Sequence, residues 1–420
     1  MSALCTHRTT ERRLAATAQH LGAFGSTAAG HQQALIAFGA AGTGEKTVAR
    51  IALIGAGWWS QGWHLPHLHR NPKAKIAAIV DPTAHPKSPM NPDMQSVAAL
   101  SKQYGAPAFS TLEELLATGM ALDGVVIGSN HASHHELAMK AMEAGLHVMC
   151  EKPMTVDINQ AKDLVAKAAA TDKAFMVNNT ANWREKTRRA QAMVAAGDIG
   201  EIRHGSILFH APLSWVFNDP ANKGWNEPSG TMTGNGFGWG QLAHPLAWLY
   251  MVSGLTPARV FSFNGKGTET PADMYDSCSI LCTNGATVTV SGVAAIPGND
   301  KIIENRLVGT EGILSYCGVD EDKGKTSGDA PGAAEPVIAA NPGGLSLLRF
   351  DGRKEDISGF EFENTDQDGD GPESLQNFLD ACLGRRFFPG ADAEVGLKAV
   401  ATLDAMYRSA LSGKAEPTHL

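Results

Sequence analysis

Long apolar runs are missing from this 420-residue sequence. Nothing in it approaches the roughly 20 consecutive apolar residues that cross a bilayer, so a helical membrane span is excluded and a soluble chain is expected. Cysteine is scarce. The six present, Cys5, Cys150, Cys278, Cys282, Cys317 and Cys382, are scattered, which argues against a disulfide scaffold and for a reducing compartment. An excess of cations is also lacking: 35 Lys+Arg stand against 43 Asp+Glu, a formal charge of −8. Proteins that live on nucleic-acid phosphates are normally basic, so that partner is disfavoured. Residues 1–46 lack the apolar core of a secretory signal and hold only Glu11 and Glu45 as acids. They are rich in Ala, Gly, Thr and Gln and carry Arg8, Arg12 and Arg13 early. Two readings stand for them: a disordered leader, or an organelle transit segment. The expected location is the cytoplasm, with organelle import if the second reading holds.

What is present is ordinary globular material, 43% apolar and 19% charged, long enough for two domains. Short apolar runs at 48–54, 76–80, 124–127, 146–150 and 174–177 alternate with helical patterns at 94–104, 134–144 and 157–170. Such alternation marks a parallel sheet covered by helices on both faces, and it defines a first domain over 47–178. A linking helix over 184–195 follows, and the texture then turns strand-like at 202–210, 260–263, 279–282, 287–293, 302–308 and 312–316. Helical stretches return at 241–252, 372–382 and 394–412. Residues 179–420 therefore read as an α+β domain with a largely antiparallel open sheet, its last helix free to pack back on the first domain. Residues 322–344, rich in Gly, Ala and Pro, read as a surface loop.

The first strand runs into Gly55-Ala-Gly57-Trp58-Trp59-Ser60, a glycine turn opening a helix. Glycines at 55 and 57 let backbone N–H groups approach a pyrophosphate, and the helix N-terminus favours its charge. The third glycine of this dinucleotide (Rossmann) fingerprint is replaced by Ser60. The next strand ends at Asp81, 24 residues beyond Gly57. A carboxylate there binds ribose hydroxyls and repels a 2′-phosphate, so NAD is expected rather than NADP. A later strand delivers Glu151-Lys152-Pro153 at its carboxyl end, the edge where open parallel sheets bind ligands. A lysine there can donate to a substrate oxygen that gains alkoxide character.

The combination resembles the glucose–fructose oxidoreductase / inositol dehydrogenase (Gfo/Idh/MocA-like) family of two-domain NAD(P)-dependent oxidoreductases. The matching features, in chain order, are Gly55-x-Gly57-Trp-Trp with His64-Leu-Pro, Asp81, the Ser129…His134-x-Glu136 loop and Glu151-Lys152-Pro153. Asn178…Arg184, Gly197-x-Ile199-Gly200, Gly309-Thr-Glu-Gly312, Glu394-x-Gly396 and Tyr407-Arg408-Ser409 continue the series. The resemblance implies a cofactor site of Gly55, Gly57, Trp58, Trp59, Asp81, Ser129, His134, Glu151 and Lys152. It implies catalysis by Lys152 with His244 as the general base. It also implies a homo-oligomer, dimer or tetramer. The family's aspartate four residues before the histidine is replaced by Gly240, and Gln241 is left as a positioning group that cannot take a proton at neutral pH.

Five of the eight tryptophans, Trp183, Trp215, Trp225, Trp239 and Trp248, fall between residues 183 and 248. Indoles stack on the C–H faces of sugars, and Asn182, Arg184, Asn226 and Asn235 are candidate partners for hydroxyls. The substrate-binding expectation is Lys152, Arg184, Trp215, Trp239, Gln241 and His244, acting on a carbohydrate or cyclic polyol. No metal site is expected. Asp366-x-Asp368-x-Asp370 imitates a calcium loop but has Asn377 at its twelfth position, and Cys278 and Cys282 are separated along a strand. His131, His134 and His135 lack completing ligands. Dehydrogenation of a secondary hydroxyl leads. Redox-neutral glycoside cleavage by oxidation and elimination, and a non-catalytic NAD/sugar sensor, remain as alternatives.

Overall fold

The computed structural model describes residues 46–320, 343–363 and 369–420. The leader reading of residues 1–46, Lys46 apart, residues 322–342 of the 322–344 loop, and Asp366 and Asp368 lie outside the described residues.

Six parallel strands form the first sheet: β1 (Ala49–Ile54), β2 (Ala74–Val80), β3 (Ala108–Phe109), β4 (Gly124–Ile127), β5 (His147–Cys150) and β6 (Phe175–Val177). Their order is β3-β2-β1-β4-β5-β6. Residues Ile51 to Ile54 and Val125 to Ile127 are buried on both sides, as a parallel sheet covered on two faces requires. The covering helices are α1 (Leu65–Arg70), α2 (Val97–Tyr104), α3 (Leu112–Ala117), α4 (His134–Glu143) and α5 (Ile158–Ala169). Side-chain caps start three of them: Ser96 accepts from Ala99 N–H, Thr111 from Glu114 N–H, and Asp157 from Asn159 and Gln160 N–H. The chain leaves β1 toward β2 on one side and pairs β4 on the other, so a crevice opens beyond the carboxyl ends of β1 and β4.

Helix α6 (Glu185–Ala195) leads to the second sheet. Its strands are β7 (Ile202–His210), β8 (Pro257–Lys266), β9 (Asp273–Cys282), β10 (Thr287–Val293), β11 (Lys301–Gly309), β12 (Gly312–Asp320), β13 (Gly344–Arg349), β14 (Lys354–Ser358) and β15 (Glu416–Pro417). All pairings are antiparallel except β7 with β10. Burial alternates along β9, so Cys278 and Cys282 both face the core as free thiols, and burial raises both. Short helices α7 (Ser214–Phe217) and α8 (Lys223–Asn226) lie between β7 and β8, as does α9 (Ala243–Ser253). Helices α10 (Glu373–Cys382) and α11 (Ala393–Ser412) follow β14. Helix α11 touches both halves of the fold. A Cβ at its Gly396 would meet Met154 Sδ at 2.6 Å and Val177 at 3.1 Å, while its Ser409 hydroxyl accepts from Ser262 N–H of β8. Among the described residues no helix is long and apolar enough to cross a membrane.

Candidate active site

The glycine turn is built by close approach. Gly55 has φ +91°, and a Cβ there would stand 2.6 Å from Ser129 on the loop after β4. Gly57 faces open space. Ser60 occupies the third glycine position because Gly128 opposite it has no side chain; a Cβ on Gly128 would lie 2.4 Å from Ser60 Oγ. Asp81 follows β2 and turns its carboxylate back to the turn, accepting from Ala56 N–H and Thr83 N–H, each at 2.7 Å. A charge-assisted hydrogen bond contributes about 1.5–3 kcal/mol. With such a bond to a ribose lost, Asp81→Ala is expected to lower the NAD:NADP ratio of kcat/KM by about tenfold or more. An unchanged ratio would remove Asp81 from the ribose site.

Strand β5 delivers Glu151 and Lys152 to the crevice. Glu151 accepts from His64 Nε2 at 2.9 Å, Trp59 Nε1 at 3.0 Å and Asn178 Nδ2 at 2.8 Å. Burial alone would push this carboxyl up, but His64, Asn178 and Lys152 outweigh it and hold it at about 2. Lys152 is half-buried in the cavity wall, and desolvation pulls its ammonium below the ordinary lysine value against the opposing effect of Glu151 and Glu363. Its Nζ donates to Gly240 O at 2.5 Å and stands 5.8 Å from the centre of the Trp225 ring.

Gly240 belongs to a wide π-helical turn, Gly238–Leu242, that opens into α9. Asp273 fixes this turn by accepting from Gly238 N–H at 2.7 Å and from Tyr407 OH at 2.6 Å. The missing aspartate now has a steric cause: a Cβ on Gly240 would meet Phe217 at 2.7 Å. Overpacking of this kind costs about 1–3 kcal/mol, so Gly240→Asp is expected to lower the thermal midpoint by several degrees without raising activity. A variant as stable as the parent would contradict this packing.

His244 sits in the first turn of α9, with Gln241 on the same wall of the cavity. Its Nε2 lies 3.4 Å from Glu363 Oε1. Burial lowers the imidazole to about 4; Glu363 opposes this, while Lys152 and Lys301 reinforce it. Glu363 also pairs with Lys301 Nζ from the start of β11. Burial would raise Glu363, but Lys301 and His244 hold it at about 2. Neither Glu363 nor Lys301 was expected from the sequence. Glu363 stands 119 residues beyond His244, outside any motif.

A cavity of about 1020 Å³ runs from the glycine turn and Asp81, past Ser129, Glu151 and Lys152, to Gln241, His244, Lys301 and Glu363. Trp58, Trp59, Trp215 and Trp225 line it. Trp225 meets Trp58 edge-on at 6.4 Å and His131 at 5.4 Å, joining the nucleotide-binding turn to the second half of the chain. Burial lowers His131 to about 3, with His134 and Lys152 adding to the effect.

Several expected residues stand elsewhere. Trp239 is buried and stacks on Tyr407 at 5.9 Å, away from the cavity wall. Arg184 pairs with Glu373 at 2.9 Å and donates from Nη2 to Glu363 O, so it braces the segment that carries Glu363. His134 is buried between Pro153 O at 2.9 Å and Ser129 O at 3.2 Å; it ties two loops of the crevice together without lining it. The amides of Asn182, Asn226 and Asn235 donate to backbone carbonyls and hold loops in place.

NAD fits this site. Gly57 leaves backbone open where a pyrophosphate must approach, Asp81 lines the cavity after β2, where a ribose would need a carboxylate, and the volume is at the upper limit usual for small-molecule sites. Fold and site define a two-domain protein with a dinucleotide-binding first half. Comparison with known proteins gives the family. Residues 49–179 match the "Oxidoreductase family, NAD-binding Rossmann fold" and residues 187–315 the "GFO/IDH/MocA C-terminal domain". The chain belongs to the Gfo/Idh/MocA family of oxidoreductases. It is 28% identical over 155 residues to inositol 2-dehydrogenase of Corynebacterium glutamicum, covering 36% of this chain and 43% of that enzyme. To the D-glucoside 3-dehydrogenase of Escherichia coli it is 26% identical over 153 residues, covering 36% and 41%. The chain thus spans about two-fifths of the length of these two relatives. The fold is that of apo scyllo-inositol dehydrogenase from Lactobacillus casei, with a TM-score of 0.65 at 17% identity over 89% of this chain and 99% of that one.

Proposed function

We propose that this protein oxidises a secondary hydroxyl of a sugar, glycoside or cyclic polyol, with Lys152 and His244 as the catalytic pair. The observation that carries the reading is the contact from Lys152 Nζ to Gly240 O, which closes the end of the cofactor crevice against the turn that opens into the His244 helix. Bound NAD supplies the acceptor for the hydride that leaves the carbinol carbon. Lys152 donates to the reacting oxygen and favours its negative character; His244 takes the hydroxyl proton. Trp215 and Trp225 offer the apolar faces a ring would stack on, and Gln241 orients the bound hydroxyls. The relatives named for inositol and glucoside oxidation support the same substrate class.

A substrate deuterated at the carbinol carbon is expected to pass deuterium to the reduced cofactor. Turnover without deuterium in the cofactor would contradict hydride transfer from that carbon.

The pH profile follows from His244. Its proton is lost above about 4, so the base is present throughout the neutral range. The acid limb of kcat/KM is expected near pH 4, where the imidazole becomes charged, and a limb centred on the ordinary value near 6.5 would contradict a desolvated base.

We also propose that a second copy of the chain covers the outer face of the second sheet. Phe263, Tyr275, Leu281 and Leu348 are exposed there, the first three on the adjacent strands β8 and β9.

A further inference from the structure

We propose that Glu363 is the positioning carboxylate for His244, filling from a distant part of the chain the role that Gly240 leaves vacant. The inference rests on the reading of His244 as base.

Three observations converge. First, the local position is closed to a carboxylate, because Phe217 occupies the space beside Gly240. Second, Glu363 Oε1 and His244 Nε2 face one another at 3.4 Å, and Oε1 is buried with no hydrogen bond of its own. The second oxygen, Oε2, is held by Lys301 Nζ. Third, the backbone of Glu363 is clamped on both sides. Asp320 at the end of β12 accepts from Phe362 N–H at 3.0 Å and Glu363 N–H at 2.9 Å, while Arg184 donates to Glu363 O. A residue fixed at its N–H, its C=O and one carboxylate oxygen, with the other oxygen aimed at an imidazole, is built for a geometric task.

The proton balance is simple. The substrate C–H bond breaks with its electron pair going to NAD, the O–H proton goes to His244, and the carbon–oxygen bond becomes a carbonyl. The ionised Glu363 Oε1 keeps the ring hydrogen of the neutral imidazole on Nε2, so the hydroxyl proton is taken at Nδ1, which has no partner of its own, and the same carboxylate then faces the imidazolium. Without that carboxylate the new cation would face Lys152 and Lys301 with only Glu151 to oppose them. Glu363 therefore acts through the base and does not itself receive the hydroxyl proton.

The test uses the full-length, NAD-bound protein with labelled histidine. The ring resonance of His244 is assigned by its loss in His244→Asn and followed by NMR against pH. The wild type is expected to titrate near 4, and Glu363→Asp to stay close to it. In Glu363→Gln the midpoint is expected to fall by about one to three pH units, so that no titration is seen above pH 4. Kinetics with methyl glucosides and inositols supply the second readout: kcat should fall by at least about tenfold in Glu363→Gln. The double variant Glu363→Gln/Lys301→Met removes both members of the buried pair, a change that is often neutral for folding. It should remain slow if the carboxylate serves His244. A titration unmoved by Glu363→Gln, or full recovery of rate in the double variant, would overturn the proposal. Full activity in His244→Asn would instead defeat the general-base reading, whatever the titration shows.

Discussion

Lys152→Ala is expected to lower kcat/KM by about 10²- to 10⁴-fold, the range for removing a positioned proton donor from a transition state. The ammonium is desolvated, donates to Gly240 O at 2.5 Å and has Glu151 and Glu363 as its charged neighbours of opposite sign. In such surroundings an oxygen gaining negative charge has few other cationic partners. The loss should fall mainly on kcat, with the dissociation constant for NAD, read from tryptophan quenching through Trp58 and Trp59, changing by less than about tenfold. Lys152→Arg should not rescue the rate, because a planar fork does not replace a point charge already in close contact with a carbonyl. Equal losses in NAD affinity and rate would place Lys152 in cofactor binding alone.

His244→Asn is the second large effect. Asparagine keeps polarity and much of the volume but cannot take a proton at neutral pH. Turnover should drop by about 10²- to 10⁴-fold while NAD affinity holds, and the acid limb near pH 4 should vanish along with the base that causes it. Retained activity would remove His244 from proton transfer and leave it a buried member of α9.

Much of this fold is legible in the sequence, for identifiable reasons. Strands β1, β2, β4, β5 and β6 are short apolar runs that a doubly covered sheet buries on both faces, and β7 and β10 occupy 202–210 and 287–293, where the texture is strand-like. Strand β13 escaped because it follows a Gly/Ala/Pro-rich stretch, and β14 because Lys354, Glu355 and Asp356 put charge on both faces of a five-residue segment. The cofactor half of the site was readable because backbone geometry imposes its motif: only glycine fits at 55, and Asp81 must end the next strand.

The substrate half was less so. Trp239 belongs to a wide turn whose spacing sends it to Tyr407, and residue counting does not reveal that turn. Arg184 looked like a ligand because it is a cation near an aromatic cluster, yet its carboxylate partners, Glu361 and Glu373, arrive from far along the chain. Glu363 carries no local signature at all. Its position beside His244 depends on the pairing of β11 with β12 and on Asp320, which is tertiary information.

The central claim is oxidation of a carbohydrate or polyol hydroxyl at the Lys152–His244 end of the NAD crevice. The direct measurement is absorbance at 340 nm with purified protein and NAD across sugars, glycosides and inositols, beside Lys152→Ala. The account predicts NADH formation with at least one member of this panel, and formation at least about 100-fold slower with the variant. A flat trace with intact NAD binding and no consumption of any panel member would contradict it.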